Sequence, residues 1–320
     1  MGKEREKIVK VLKEKESFWV VSHFDPDIDA EASILGLGLG LEGLGKKVSY
    51  YNPGPFFNRH KFLPGFEKIS TKMLSGAPEA VVVCDCASLD RVGKDMESFI
   101  KEFPLVLNID HHISNTGFGS INYIDADASS TGEIVYNILK DLGVKITKEI
   151  AEILFSAISS DTGSFKYNNA QRSAFLAAAE LISFGADPAK IAQELYSNNS
   201  FSSFKLRALA YAQLNLHLGG VVSEVSLTLR MLQECGANKG DTEMIVEDIL
   251  GIEGVKVSLF LREEKEWVKG SLRSKPNTVD VSKIAEKLGG GGHINAAGFR
   301  QYEDIEKVRE KVIQMLGEVL

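Results

Sequence analysis

The chain has 320 residues, 44% hydrophobic and 25% charged, which excludes a disordered or fibrous protein and leaves enough apolar sequence for one or two compact cores. With 37 basic against 44 acidic residues the net charge is −7, and the stretch from His217 onward, with 14 basic and 17 acidic residues, is no more basic than the rest. A protein that grips long nucleic acid through many phosphates is therefore disfavoured.

Glu4 to Lys15 predicts an amphipathic helix, and Phe18 to Ser22 a short strand that ends in a cluster of acids. Ala30 to Gly45 has helical length. It contains Gly38-Leu39-Gly40-Leu41-Glu42-Gly43, which satisfies the dinucleotide-binding spacing but sits inside a helix rather than on the turn opening one, so its glycines are read as packing residues. Lys47 to Tyr51, Glu79 to Asp85 and Pro104 to Ile109 are further strands. Their nearly continuous apolar runs suit a parallel sheet covered by helices on both faces. From Ser129 to about Leu216 the pattern is helical, with caps expected at Ser130 and Thr147 and an alanine-rich helix over Ala170 to Phe184.

The polar run Ser197 to Ser203 is the expected linker, giving a domain over residues 1–196, a linking segment over 197–216 and a second domain over 217–320. In the second domain, strands near Val221 to Leu229, Val255 to Arg262 and Val268 to Arg273 alternate with helices at Asp241 to Leu250 and Val279 to Leu288, a smaller α+β unit. The most apolar stretches, Ile34 to Leu44 and Ala80 to Val83, are interrupted by Glu42 and Asp85, short of the roughly 20 residues a bilayer requires. The charged start is no signal peptide, so a cytoplasmic location is expected. Three cysteines, Cys84, Cys86 and Cys235, argue against a disulfide framework, and the first two read as small buried strand residues.

His23-Phe24-Asp25-Pro26-Asp27-Ile28-Asp29 follows the first long strand, at the sheet edge where α/β proteins hold ligands. A solvated acidic turn is the bland alternative. Recurrence weighs against it, because Asp85 ends the next apolar strand, Asp110-His111-His112 ends the one after, and Asp161 follows a helix. Oxygen and imidazole donors without thiolates are the inventory of a two-metal site.

The Asp110-His111-His112 triplet, the His23-x-x-x-Asp27-x-Asp29 motif and Asp161 resemble the DHH phosphoesterase superfamily. The run Gly289-Gly290-Gly291-Gly292-His293-Ile294-Asn295-Ala296-Ala297-Gly298 resembles its associated C-terminal domain of the RecJ-like type. Size and motif order are similar to the two-domain nanoRNase and pAp phosphatase proteins, a group that includes hydrolases of linear and cyclic di-AMP. The resemblance implies two divalent ions, manganese expected: His23 and Asp27 on one, Asp29, His111 and Asp161 on the other, and Asp85 bridging. His112 would contact the scissile phosphate or its leaving oxygen, with Asp110 supporting the histidines. Arg273, Ser274, Gly290, Gly291, Gly292 and His293, with Arg262, would grip the far phosphate or nucleotide, the smaller domain closing over the substrate. Asn295-Ala296-Ala297 is expected to open a helix whose N-terminus favours phosphate.

Implied substrates are pAp, pApA, cyclic di-AMP or RNA of a few nucleotides, and a homodimer is expected by resemblance only. The alternatives are an inorganic pyrophosphatase or polyphosphatase on the same metal core, disfavoured by the glycine run, and a non-catalytic nucleotide sensor. The chain departs from the family pattern at Asp25, Ile28 and Glu31. A β-branched residue at Ile28 requires an ordinary backbone conformation there or strain, while Asp25 and Glu31 are expected to add negative charge beside the metals.

Overall fold

The computed structural model describes residues 2–242 and 244–320. The chain divides between Asn198 and Asn199 into two compact units. In the first, helix α1 (Lys3–Glu14) precedes β1 (Ser17–Val21), α2 (Ile28–Gly43), β2 (Lys47–Tyr51), β3 (Ile69–Ser70), β4 (Ala80–Cys84), α3 (Lys94–Glu102), β5 (Val106–Asp110) and β6 (Ile121–Ile124). Helices α4 (Thr131–Leu142), α5 (Lys148–Asp161), α6 (Arg172–Ser183) and the short α7 (Pro188–Ala192) follow. Among the described residues the strands form a six-stranded sheet in the order β3-β2-β1-β4-β5-β6, parallel throughout.

This is the expected α/β architecture, and its chemical cause is legible in β4. Ala80 to Cys84 is buried at every position, so both faces of the sheet need cover. Phe18 and Val20 of β1 pack on one side with α2, α4 and α5. Trp19 and Val21 pack on the other with α3, where Trp19 and Phe99 lie 4.6 Å apart between ring centroids. The Gly38-x-Gly40 spacing is a packing feature, as read from sequence. A Cβ on Gly40 would meet Leu139 of α4 at 2.4 Å, and one on Gly38 would meet the Tyr50 ring at 2.2 Å. Ser130 caps α4 by accepting from the Glu133 amide, and Thr147 caps α5 by accepting from that of Ile150. Sequence reading passed over β3, α3 and β6; β3 has two residues and β6 is only half-buried, so neither shows a clear apolar period.

The second unit contains α8 (Phe201–Ala212), β7 (Asn215–His217), β8 (Val222–Leu227), α9 (Leu229–Cys235), α10 (Ile245–Leu250), β9 (Val257–Glu263), β10 (Val268–Ser274), α11 (Val281–Lys287), β11 (Gly291–His293), β12 (Ala296–Gln301) and α12 (Ile305–Gly317). Among the described residues its six strands run β11-β12-β10-β9-β8-β7, a mixed sheet in which only β8 and β9 are parallel. One face packs Leu259, Leu272 and Phe299 against α11 and α12. The other packs Val225 and Phe260 with α8, α9 and α10. No helix among the described residues is long and apolar enough to cross a membrane.

Candidate metal centre

In the first sheet β1 and β4 are neighbours, while β1 leads through α2 to β2 on one side and β4 leads to β5 on the other. That reversal of strand order leaves a crevice outside the C-terminal strand ends. His23 enters it after β1, Asp85 after β4, and Asp110, His111 and His112 from the end of β5. Asp27 and Asp29 come from the start of α2, and Asp161 is the last residue of α5. Ligand atoms of His23, Asp27 and Asp85 lie within 4.8 Å of one another, and so do those of Asp29, His111 and Asp161. Asp85 faces both groups: its Oδ2 is 3.6 Å from His23 Nε2 and its Oδ1 is 3.7 Å from His111 Nε2.

Local backbone and hydrogen bonds set this arrangement. Asp85 adopts φ +53°, a left-handed conformation costing a non-glycine residue about 1 kcal/mol, which turns the chain sharply at the end of β4. Thr131 Oγ1 donates to Asp85 Oδ1 at 3.0 Å. Asp29 is gripped by the N-terminus of α4, whose Thr131 and Gly132 amides donate to its two oxygens at 2.7 and 2.8 Å. Asp27 caps α2 by accepting from the Ala30 amide. The positive φ in this loop falls on Asp25, at +50°, and Ile28 lies within α2 and takes no such conformation. Ile28 therefore adds no backbone strain of its own.

Glu31 behaves otherwise than expected. It is fully buried, with Oε2 3.0 Å from Nδ1 of the equally buried His60. Burial, with the charge of Asp27 adding to it, pushes its carboxyl up to about 9, while burial and the Arg59 charge push His60 down to about 3. Both shifts favour the neutral form of each group, which lessens the negative charge that Glu31 brings to the centre. His60 had given no such sign in the sequence, because its partner lies in α2.

Asp110 is saturated by its own neighbourhood. Its Oδ1 accepts from the His111 amide at 2.8 Å and lies 2.7 Å from His112 Nδ1, while Oδ2 accepts from Asn115 Nδ2 at 2.6 Å. The carboxylate thus accepts a hydrogen bond from His112 Nδ1 and fixes the orientation of the ring. Burial opposes the His112 charge, yet the bond to Asp110 and the charges of Asp85 and Asp110 prevail and push it up to about 9. Asn115 and Thr131 were not singled out from sequence. The Ser130-Thr131-Gly132 cap signal pointed to the helix start but not to the acids it holds.

In the second unit Arg273 is partly exposed, and its Nε donates to Glu247 Oε1 at 2.9 Å. Ser274 is buried: its Oγ donates to the Val279 carbonyl and accepts from Asn295 Nδ2. Arg262 is also buried, its guanidinium committed to Glu264 Oε1, Thr242 Oγ1 and the Lys239 carbonyl. That network removes Arg262 from the candidate substrate contacts. The glycine run is a hairpin and not a helix start, because Ala296 and Ala297 pair with Arg273 and Leu272 of β10 and leave a two-residue turn after His293. Gly292 has φ +145°, and a Cβ there would meet the Ala296 carbonyl oxygen at 2.4 Å.

Residues 17–158 match the model of the DHH family, N-terminal domain, and residues 218–318 that of the DHHA1 domain. The chain is 35% identical to a bifunctional oligoribonuclease and PAP phosphatase NrnA of Thermus thermophilus, over 98% of this chain and 93% of the relative. It belongs to the DHH family. A crystal structure of an exopolyphosphatase-related protein from Bacteroides fragilis superposes with TM-score 0.89 at 29% identity, covering 98% of this chain and 96% of that one. RecJ of Thermus thermophilus in complex with Mn2+ shares the fold, with TM-score 0.56 at 17% identity over 99% of this chain and 55% of RecJ.

Phosphoesterases of the DHH family act with divalent metal, and the acids of this DHH domain suit one. Burial and the charges of neighbouring aspartates, Asp85 and Asp27 for one and Asp29 and Asp27 for the other, push Asp29 and Asp161 well above the ordinary carboxylate range. Burial opposes charge on Asp85 as well, but the His23 bond and the surrounding imidazoles hold it well below. A divalent cation offsets the repulsion among these carboxylates, and protons compete with it. Manganese added to metal-stripped protein is therefore expected to raise the melting temperature and to displace protons near neutral pH, its affinity falling as pH falls. Calorimetry in two buffers of different ionisation enthalpy counts the protons, and metal binding that is proton-neutral and independent of pH would contradict the assignment.

Proposed function

We propose that this protein is a two-metal phosphoesterase, with manganese in both positions, that hydrolyses short oligoribonucleotides, pApA, cyclic di-AMP and pAp to mononucleotides in the cytoplasm. The observation that carries the reading is the pair of ligand groups that Asp85 faces, set beside a histidine whose Nδ1 is engaged by Asp110. His23, Asp27 and Asp85 would hold one ion, and Asp29, His111, Asp161 and Asp85 the other. Bound divalent ions supply Lewis-acid polarisation of the phosphoryl group and lower the pKa of the attacking water.

The chain itself does the rest. His112, whose protonated form the bond to Asp110 favours, donates from Nε2 to a phosphoryl oxygen or to the leaving oxygen, and Asp110 keeps the ring aimed. Arg273, preoriented by Glu247, grips a substrate phosphate through its guanidinium. The net charge of −7 favours small substrates, because a long polyanion meets repulsion away from the site. A homodimer belongs to the same proposal and is read by sedimentation.

The test is product analysis with Mn2+, and with EDTA as control, against pAp, pApA, cyclic di-AMP, a short RNA ladder and pyrophosphate. Metal-dependent release of mononucleotide is expected, and cleavage of pyrophosphate alone would replace this reading with a pyrophosphatase. Arg273→Ala is expected to raise KM about tenfold while kcat changes little, since the lost contact is made in the ground and transition states alike. A fall in kcat at unchanged KM would move Arg273 out of the binding role.

A further inference from the structure

The segment that follows Asp85 returns to His23, through a residue that the function proposed above does not use. Residues Leu89–Val92 make one short helical turn, in which Val92 is fully buried with Trp19 and Met96 and the Arg91 amide donates to the Ser88 carbonyl at 3.2 Å. Cys86 Sγ donates to the same carbonyl at 3.1 Å, so the turn is anchored to the end of β4 as well as to the core. From this turn Arg91 meets residues 23 and 24 in three ways. Its carbonyl accepts from the Phe24 amide at 2.7 Å, its guanidinium lies over the Phe24 ring 5.6 Å from the centroid, and Nη2 stands 3.1 Å from Nδ1 of His23. The imidazole is buried, and its opposite nitrogen, Nε2, faces Asp85 Oδ2 at 3.6 Å. Pairing of β1 with β4 ends at Val21 and Val83, so sheet register does not fix the side-chain torsions of His23 further along the chain. Contacts on the Nδ1 side of the ring do.

We propose that Arg91 is a positioning residue for His23, holding its imidazole in place beside Asp27 and Asp85 and acting on that ligand group alone. The role rests on the two-metal reading. A guanidinium is always charged, and a fixed positive charge next to a cation site opposes the binding of a cation there. Its placement against His23 therefore needs an offsetting gain. Orientation is the gain that the contacts supply, because a histidine that ligates through one nitrogen is held by whatever engages the other, and loss of that partner typically costs 10- to 100-fold in metal affinity. Arginine suits the task, since its flat fork covers the Phe24 ring with one surface while an edge nitrogen reaches His23.

The experiment is calorimetric titration of metal-stripped protein with Mn2+, with kcat and KM for pAp measured at limiting and saturating Mn2+. Wild type is expected to show two binding events. In Arg91→Ala one of them, the event lost in His23→Ala, weakens about tenfold while the other keeps its affinity. The sign is diagnostic, because removing a positive charge by itself tightens cation binding. Arg91→Lys keeps the charge without the flat fork, and it weakens the same event. The bond from the Phe24 amide is made by the Arg91 backbone and survives in both variants. Saturating Mn2+ recovers kcat in Arg91→Ala at unchanged KM. Tighter or unchanged binding, or equal weakening of both events, would overturn the positioning role. So would wild-type affinity in Arg91→Lys, or a raised KM that saturating Mn2+ leaves in place, the mark of a substrate contact. Wild type that binds no Mn2+ overturns the two-metal reading and this role with it, whereas two events that respond as expected without release of mononucleotide overturn the phosphoesterase reading and uphold the role of Arg91.

Discussion

Asp85→Asn is expected to lower kcat by about three orders of magnitude or more, with loss of stoichiometric metal binding, because this carboxylate faces both ligand groups. Asparagine is the informative replacement. Asp85 has φ +53°, a conformation that asparagine tolerates and alanine does not, so the turn after β4 is retained while the charge is removed. The Thr131 hydroxyl that donates to Oδ1 at 3.0 Å still meets an acceptor if the amide oxygen takes that place. Turnover together with elemental analysis of bound metal reads the result. Wild-type turnover with a full metal complement in Asp85→Asn would show that the bridge has been assigned to the wrong residue.

His112→Ala is expected to lower kcat by roughly 10²- to 10⁴-fold, the range for removal of a positioned acid. The pH profile gives the more specific signature. His112 is pushed up to about 9, so the protonated form that donates from Nε2 prevails below that pH and is lost as pH rises through it. Bound cations add positive charge nearby and draw the fall in activity to lower pH, never to higher. Asp110→Asn removes the charge that raises His112, and the alkaline limb is expected to move further down while the protein remains folded. A profile that Asp110→Asn leaves in place would assign the limb to another group.

The candidate ligands that end strands were legible because a parallel strand buried on both faces is nearly continuously apolar. The first charge after Val81-Val82-Val83-Cys84, or after the apolar Val106 and Leu107, therefore marks the edge of the sheet. The caps at Ser130 and Thr147 were legible for a related reason, since a hydroxyl before a periodic run is local chemistry. The glycine run shows the opposite case. Its composition suits both a helix start and a hairpin, and pairing of Ala296 and Ala297 with β10 decided between them.

The sequence by itself determined the α/β class, the donor types and their order along the chain, because these follow from hydrophobic period and residue chemistry. Tertiary structure alone decided which donors come within reach of one another, that Asp29 is held by the amides of α4, that Asn115 donates to Asp110, and that Arg262 and Ser274 are spent on internal bonds. It also set Glu31 beside His60, where burial favours the neutral form of each. Each of these depends on the approach of segments far apart in the chain, where burial and neighbouring charge fix protonation and hydrogen-bond partners, and neither quantity is carried by a residue's identity.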